Sequence, residues 1–396
     1  MSNFTPSGQQ SERGGQPQKH VALLIETSNE YARGLLKGIM SYTRTHRPWS
    51  IYLGEHSRLG TDFSWLADWR GDGILARIET DEMARLVSSM QLPSVDLSAS
   101  RLLPELPCVE TNDRTIAEWA AEHLLSRGFK HFAYCGEPFF EWSKARGAHF
   151  ESWLQDRGFR VHSYYRNTLA SSRDERDQMA SWVSALPKPV GIMASYDSIA
   201  LKLLESCRLA AVSVPEEAAV VSVDNDSLLC NLSFPSLTSI QPNTIETGYQ
   251  AAALLDGLMS GLAVDPVVRR IEPVEVVTRM SSDIIAVEDP YVAEAIRYIR
   301  EHAYEDLKVG DLLKAIPLSR RSLDHRFQSA LGRTPHEEII AAKMKIIARL
   351  LEETDWTLPV IAEQVGFKHA EYMSVAFKKH TGLSPGAYRE QRSNRT

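Results

Sequence analysis

KVGDLLKAIPLSRRSLDHRFQSALG (residues 308–332) and TLPVIAEQVGFKHAEYMSVAFKKHTG (357–382) read as one design written twice. Leu323, Phe327 and Gly332 recur 50 residues on as Met373, Phe377 and Gly382. Val309, Leu312, Leu313 and Ile316 recur 49 residues on as Leu358, Ile361, Ala362 and Val365. The slip of one residue falls in the turn between the two helices of each unit. An apolar helix, a short turn and a second helix opening on polar residues form the helix-turn-helix pattern. Two such units in tandem predict a DNA reader. Between them TPHEEIIAAKMKIIARLLEET (334–354) predicts a long amphipathic helix, with Thr334 as N-cap, Pro335 at the first helical position and Glu337 closing a capping box. About 19 residues at 1.5 Å each make a rod of roughly 28 Å. That approaches the ~34 Å between successive major grooves on one face of B-DNA.

Upstream the rhythm changes. VALLIE (21–26), IYLGE (51–55), DGILARI (72–78), PSVDLS (93–98), HFAYCG (131–136), VGIMASY (190–196) and AAVVSVD (218–224) read as buried strands. Helical stretches fill the intervals, among them Glu30–Thr45, Arg114–Ser126, Ser143–Gln155 and Ser198–Cys207. Strands alternating with helices predict parallel sheets covered by helices on both faces, with ligands at the carboxyl ends of the strands. Those ends are polar here: Glu26 to Asn29, Glu137 onward, Tyr196-Asp197 and Asp224 to Asp226.

A chain of 396 residues suits two or three domains. Residues 1–19 are polar and expected to be disordered; they lack the apolar core of a secretory signal, so the cytoplasm is the expected compartment. Residues 20–283 form the α/β part, SSDIIAVEDP (281–290) reads as a short linker with the break at 284–289, and 290–392 form the helical part. No apolar run is long enough for a membrane span. Cys108, Cys135, Cys207 and Cys230 are scattered without metal-site or disulfide-scaffold spacing. The net charge of −7 speaks against bulk attraction to nucleic acid, and from residue 286 onward there are 17 Lys and Arg against 16 Asp and Glu. DNA binding must therefore depend on local placement of basic side chains. No phosphate-binding glycine loop, HExxH or GxSxG is present, so no enzyme and no cofactor is expected.

IAEQVGF…AFKKHTGLSPGAYR (361–389) resembles the signature of the AraC family, and the resemblance spans both repeats and the linking helix. It implies a seven-helix domain with two recognition helices in adjacent major grooves of double-stranded DNA. One departure stands out: the turn glycine, Gly366 in the second unit, is Pro317 in the first, so that turn is expected to differ. VETNDRTIAEWAAEHLLSRGFKHFAYCG (109–136), SKARGAHF (143–150), VPEEAAVVSVDND (214–226) and LTSIQPNTIETGYQAAALL (237–255) resemble the sugar-binding core of LacI-type repressors. The implied fold is a two-lobed, periplasmic-binding-protein-like (type I) α/β domain followed by an all-α domain with two helix-turn-helix motifs. That order of modules, with NEYARGLLKGI (29–39), EWSKARGAHF (141–150) and AEAIRYIREHA (293–303), resembles bacterial xylose operon regulators. The resemblance implies a transcription activator whose effector is a monosaccharide such as D-xylose, bound in the interlobe cleft. It also implies a homodimer on DNA and contact with RNA polymerase. A hexose, a sugar phosphate or a purine in the same architecture is the alternative; a carbohydrate-binding protein or enzyme with an unrelated helical tail is a more distant one.

Candidate residues follow. In the first recognition helix Arg320, Arg321, Asp324 and His325 are expected to face DNA, since Arg pairs bidentately with guanine. In the second, the AraC resemblance puts Ala370, Glu371 and Val375 at the family's base-facing positions, with Lys368, His369, Lys378 and Lys379 suited to phosphates. The bland reading of each is a solvated helical face. For the effector, the LacI resemblance points to Asp224 and Arg146, which together can hold a polyol by charge-assisted hydrogen bonds. Asp197, Trp142, Asn29 and Arg33 are further candidates. Helix capping or an interlobe salt bridge is the alternative for each polar one, with Asp197 well placed as an N-cap.

Overall fold

The computed structural model describes residues 18–54, 64–166, 172–284, 286–287 and 289–393. Residues 1–17, most of the segment expected to be disordered, lie outside the described residues, as do Ile285 and Glu288 of the expected linker. The chain forms two compact units: Met1–Ile116 with Phe139–Ala145 and Gln241–Glu275, and Ala117–Pro138 with Arg146–Ile240 and Val276–Thr396.

The elements run β1 (His20–Leu24), α1 (Glu30–Thr45), β2 (Ser50–Leu53), α2 (Ser64–Asp68), β3 (Gly73–Ala76), α3 (Asp81–Met90), β4 (Ser94–Asp96) and β5 (Cys108–Thr111). Next come α4 (Asp113–Leu125), β6 (His131–Gly136), α5 (Glu141–Gln155), β7 (Val161–Tyr165), α6 (Ser172–Ala185), β8 (Val190–Ala194), α7 (Asp197–Leu209), β9 (Ala218–Val223) and α8 (Ser227–Leu232). The α/β part closes with β10 (Thr238–Gln241), α9 (Thr244–Met259), β11 (Val268–Ile271) and β12 (Glu275–Val277).

Two six-stranded sheets result, in the orders β11-β5-β4-β3-β1-β2 and β12-β10-β9-β8-β6-β7. The central strands β1, β3, β8 and β9 pair in parallel and are almost wholly buried and apolar, as strands covered by helices on both faces are, with His20 and Ser222 the polar exceptions. In the first sheet the chain steps from β1 outward to β2, then back to β3 on the other side; in the second it does the same from β6 through β7 to β8. Such reversals leave a crevice at the carboxyl ends of the flanking strands. The fold thus singles out the residues after β1 and β3, and after β6 and β8. In the first unit Tyr31, Leu35, Ile39 and Tyr42, spaced three or four apart on α1, share one core with Ala251, Ala252 and Leu255 of α9.

Among the described residues seven helices follow: α10 (Pro290–His302), α11 (Val309–Ala315), α12 (Arg320–Leu331), α13 (Pro335–Glu353), α14 (Leu358–Gln364), α15 (Ala370–Thr381) and α16 (Pro385–Ser393). The repeat is visible in the helices themselves. α11 and α14 are seven residues each, α12 and α15 twelve each, and each of the latter ends on a left-handed glycine, Gly332 or Gly382. α13 opens with the expected capping box between Thr334 and Glu337. Its first half lends Ile339 to the core around the first helix-turn-helix, and Met344, Ile347 and Leu351 go to the core around the second. The two turns differ, as Pro317 implied. Ile316 is extended, whereas Gly366 takes φ +68°. Beside it Lys343, buried on α13, donates to the carbonyls of Glu305 and of Val365, the latter at 2.6 Å, and so ties the turn to the end of the α10–α11 loop. Burial lowers the Lys343 pKa from its ordinary value.

The segment read as a linker begins inside the second unit. Ser281 and Ser282 are fully buried. The Ser281 hydroxyl donates to Val220 O at 2.6 Å, the Ser282 hydroxyl lies 2.8 Å from His123 Nε2, and Arg127 Nε donates to Ser282 O at 2.9 Å. Burial pushes the His123 imidazole down to about 3, so it is held neutral. Beyond this anchor α10 is bonded to the same unit. Arg300 pairs with Glu216 at 2.7 Å and Arg297 donates to Ser213 Oγ at 3.1 Å, while Lys345 of α13 pairs with Asp283. Among the described residues no helix is long and apolar enough to cross a membrane, and no three side chains cluster as metal ligands. All four cysteines are free and buried.

Candidate DNA interface and effector site

In α12 the buried pair Leu323 and Phe327 fixes the opposite face outward. Arg320, Arg321 and His325 stand exposed there. Asp324 lies 3.8 Å from the Arg320 guanidinium one turn away, a contact that aims the arginine. Arg326 is turned the other way: it pairs with Asp289, the N-cap of α10, and lies 5.1 Å over the Tyr291 ring. In α15 Met373 and Phe377 are buried, leaving Glu371, Val375, Lys378 and Lys379 exposed and Ala370 half-buried; Lys368 and His369 are exposed just before the helix. A groove of about 710 Å³ runs between the two helix-turn-helix motifs, and Asp306, Lys308, Arg320, His336, Lys343, Lys368 and His369 are among the residues that line it. Basic side chains outnumber acidic ones along this groove, the local placement that DNA binding needs.

In the α/β part of the second unit, Asp224 directly follows β9, half-buried, at φ +106°, and Asn225 follows at φ +50°. Two successive non-glycine residues in the left-handed region store strain of the kind that collects at functional sites. Their neighbours hold them: Asn225 N–H donates to Ser239 Oγ at 2.9 Å and Arg279 donates to Asn225 Oδ1 at 2.8 Å. Arg146, buried on α5, donates to Ser195 O just beyond β8. Asp197 occupies the first position of α7, and Tyr196 is the N-cap, so the capping role expected of Asp197 is not the one it has. It is fully buried and accepts from Ser239 Oγ and from Asp226 N–H, both at 2.7 Å, bracing the ends of β8, β9 and β10. Burial pushes its carboxyl up to about 6.

A neighbouring network joins two of the polar strand ends, Glu137 and Tyr196, to residues without a local signal in the sequence, Arg166 and Glu175. Arg166, after β7, pairs with Glu137 and Glu175, and Tyr196 donates to Glu137 at 3.3 Å across the β6–β8 reversal. The bond to Glu175 raises the Arg166 pKa and lowers that of Glu175.

In the first unit Asn29 is the N-cap of α1, accepting from Ala32 N–H at 2.9 Å, and donates to Glu26 at 3.1 Å. Arg33 pairs with Glu30 at 3.1 Å and donates to Thr27 O at 3.2 Å. Trp142 is buried and stacks on Phe140, ring centroids 5.3 Å apart, so its broad face is already occupied on that side. The charged centre lies instead at the β1–β3 reversal. Buried Arg77 pairs with Glu26 and with Glu79, and its guanidinium lies 4.8 Å over the Tyr31 ring. Asp96, fully buried at the end of β4, accepts from Ser98 N–H at 2.9 Å and is pushed up to about 7 by burial. The available signal was a charge set within an apolar run, Arg77 in GILARI and Asp96 in PSVDLS.

Three family models match in chain order. They are the XylR N-terminal domain over residues 20–114, the periplasmic binding protein-like domain over 121–282 and a helix-turn-helix domain over 312–391. The xylose operon regulatory protein of Haemophilus influenzae is 30% identical over 379 residues, 93% of this chain and 97% of that one. That of Escherichia coli K12 is 29% identical over 94% and 97%. A structure of the xylose-binding transcription activator xylR matches with a TM-score of 0.82 and 27% identity, covering 94% of this chain and 98% of that one. A LacI family regulator from Enterococcus faecium with bound ribose shares the fold of the α/β part, with TM-score 0.55 over 67% of this chain. These relatives are regulators rather than enzymes, and the similarity runs unbroken through both parts of the molecule. The chain belongs to the xylose operon regulatory protein family and is a DNA-binding transcription regulator with a sugar-binding domain.

Proposed function

We propose that this protein is a D-xylose-responsive activator of pentose-use genes, working in the cytoplasm as a homodimer and contacting RNA polymerase. The full-length similarity to xylose operon regulators carries this reading. Residues 20–283 serve as the sugar-binding core and 290–392 as the reader. Asp224 accepts hydrogen bonds from sugar hydroxyls and Arg146 donates to them, with Asp197 holding the strand ends in place. α12 and α15 act as the recognition helices: Arg321, Asp324 and His325 meet base edges, and Lys368, His369, Lys378 and Lys379 meet phosphates. The strain at Asp224 and Asn225 supports a site there.

Calorimetric titration of the full chain with D-xylose, D-ribose, D-glucose, a sugar phosphate and adenine tests the effector. D-xylose should bind with one site per chain. Asp224→Asn should weaken it by about 10- to 100-fold, the worth of a hydrogen bond to a charged group. Silence from every pentose would sink the proposal, and heat from another class alone would reassign the effector.

A further inference from the structure

The two recognition helices match position for position at an offset of 50 but present different chemistry. Where α12 has Arg320, Arg321 and His325, α15 has Ala370, Glu371 and Val375. Val375 lies two residues beyond buried Met373, about 200° round the helix, so it stands opposite the packed seam. It is 69% exposed, and Tyr372, one turn earlier on that side, is 70% exposed. Lys368, Lys378 and Lys379 flank them in the chain, all exposed, and Glu371, four residues before Val375, is exposed on the same face. Three lysines against one carboxylate around an apolar pair suit a groove walled by phosphates.

Valine has no hydrogen-bonding group. In the major groove the apolar feature that distinguishes a base pair is the C5-methyl of thymine. We infer that α15 selects thymine, Val375 and Tyr372 packing on C5-methyl groups while the lysines hold the backbone. This rests on α15 being a recognition helix, as proposed above. The two halves of the bound site are then read differently: by hydrogen bonds under α12, by methyl contact under α15.

The test uses the full chain and a DNA fragment it protects, with deoxyuridine replacing thymidine in one half of the site or the other. Deoxyuridine keeps every hydrogen-bonding group and removes only the methyl. Substitution in one half should weaken wild-type binding about fourfold per methyl lost. Val375→Ala should bind more weakly and lose its sensitivity to deoxyuridine in that same half. Equal affinity for thymidine and deoxyuridine in both halves would overturn the inference, as would a full deoxyuridine penalty retained by Val375→Ala. Val375→Glu separates the two levels, because it sets a carboxylate among phosphates. If Val375→Glu binds like wild type, α15 does not enter the groove and the underlying reading fails. If Val375→Glu loses binding while deoxyuridine is harmless, α15 enters the groove but thymine selection is wrong. Melting curves of both variants should match wild type, since the side chain is exposed.

Discussion

Replacing Arg300 by alanine is expected to free α10 from the effector-binding part of its unit without removing any side chain that faces DNA. Glu216, the partner, is 4% exposed, and Arg300 is 24% exposed. Burial raises the Glu216 pKa, and Arg300 pulls against that rise. Truncating the arginine strands the carboxylate, a change that costs about 3–5 kcal/mol for a buried pair. Partial exposure of Arg300 places the expectation near the lower end. About 3 kcal/mol corresponds to roughly 100-fold, so α10 amides should exchange hydrogen about 100 times faster. Adding Glu216→Gln to the variant should restore much of the protection, because no charge is then left unpaired. Unchanged exchange in Arg300→Ala would show that the pair does not hold the helix.

Gly366→Ala should destabilise the second helix-turn-helix far more than the same change at Gly332 or Gly382. All three glycines have left-handed backbone, where alanine costs about 1–2 kcal/mol. At Gly332 and Gly382 a new Cβ meets open space. At Gly366 it would lie 2.5 Å from the carbonyl carbon and oxygen of Glu305. That carbonyl is held by Lys343, so the backbone has little freedom to retreat. Overpacking of this kind adds about 1–3 kcal/mol. Denaturation of the three variants, followed by helical circular dichroism, should rank Gly366→Ala well below the other two. Equal midpoints would mean that the turn yields and that the close approach does not constrain it.

The helical part was the most legible because its signals are local. Caps, the two glycine stops and the apolar spacing of the repeat each sit within one or two turns of the element they define. α1 was read at its observed ends for the same reason: Asn29 caps it and its apolar residues keep a helical period. β7 gives no continuous apolar run, because only Val161 of VHSYY is buried and the rest are half-exposed or exposed at a sheet edge. β5 is four residues long and includes Glu110 and Thr111. Ser281 and Ser282 open the stretch read as linker and close the stretch read as α/β core; they belong to the core, buried through bonds to strands, as buried polar groups must be. The ion pairs that shape the strand ends and hold α10 join residues 51 and 84 apart, Glu26 with Arg77 and Glu216 with Arg300. Hydrophobic periodicity carries no information about such partners.

Sugar bound by the upstream part is expected to set how the C-terminal helices hold DNA. Coupling of this kind amounts to about 1–3 kcal/mol and is reciprocal. The direct measurement is the affinity of the full chain for a DNA fragment it protects, by fluorescence anisotropy, with and without saturating D-xylose. D-xylose should tighten binding about 5- to 150-fold, L-arabinose should leave it unchanged, and DNA should raise the affinity for D-xylose by an equal factor. Identical DNA affinity with and without D-xylose would contradict it.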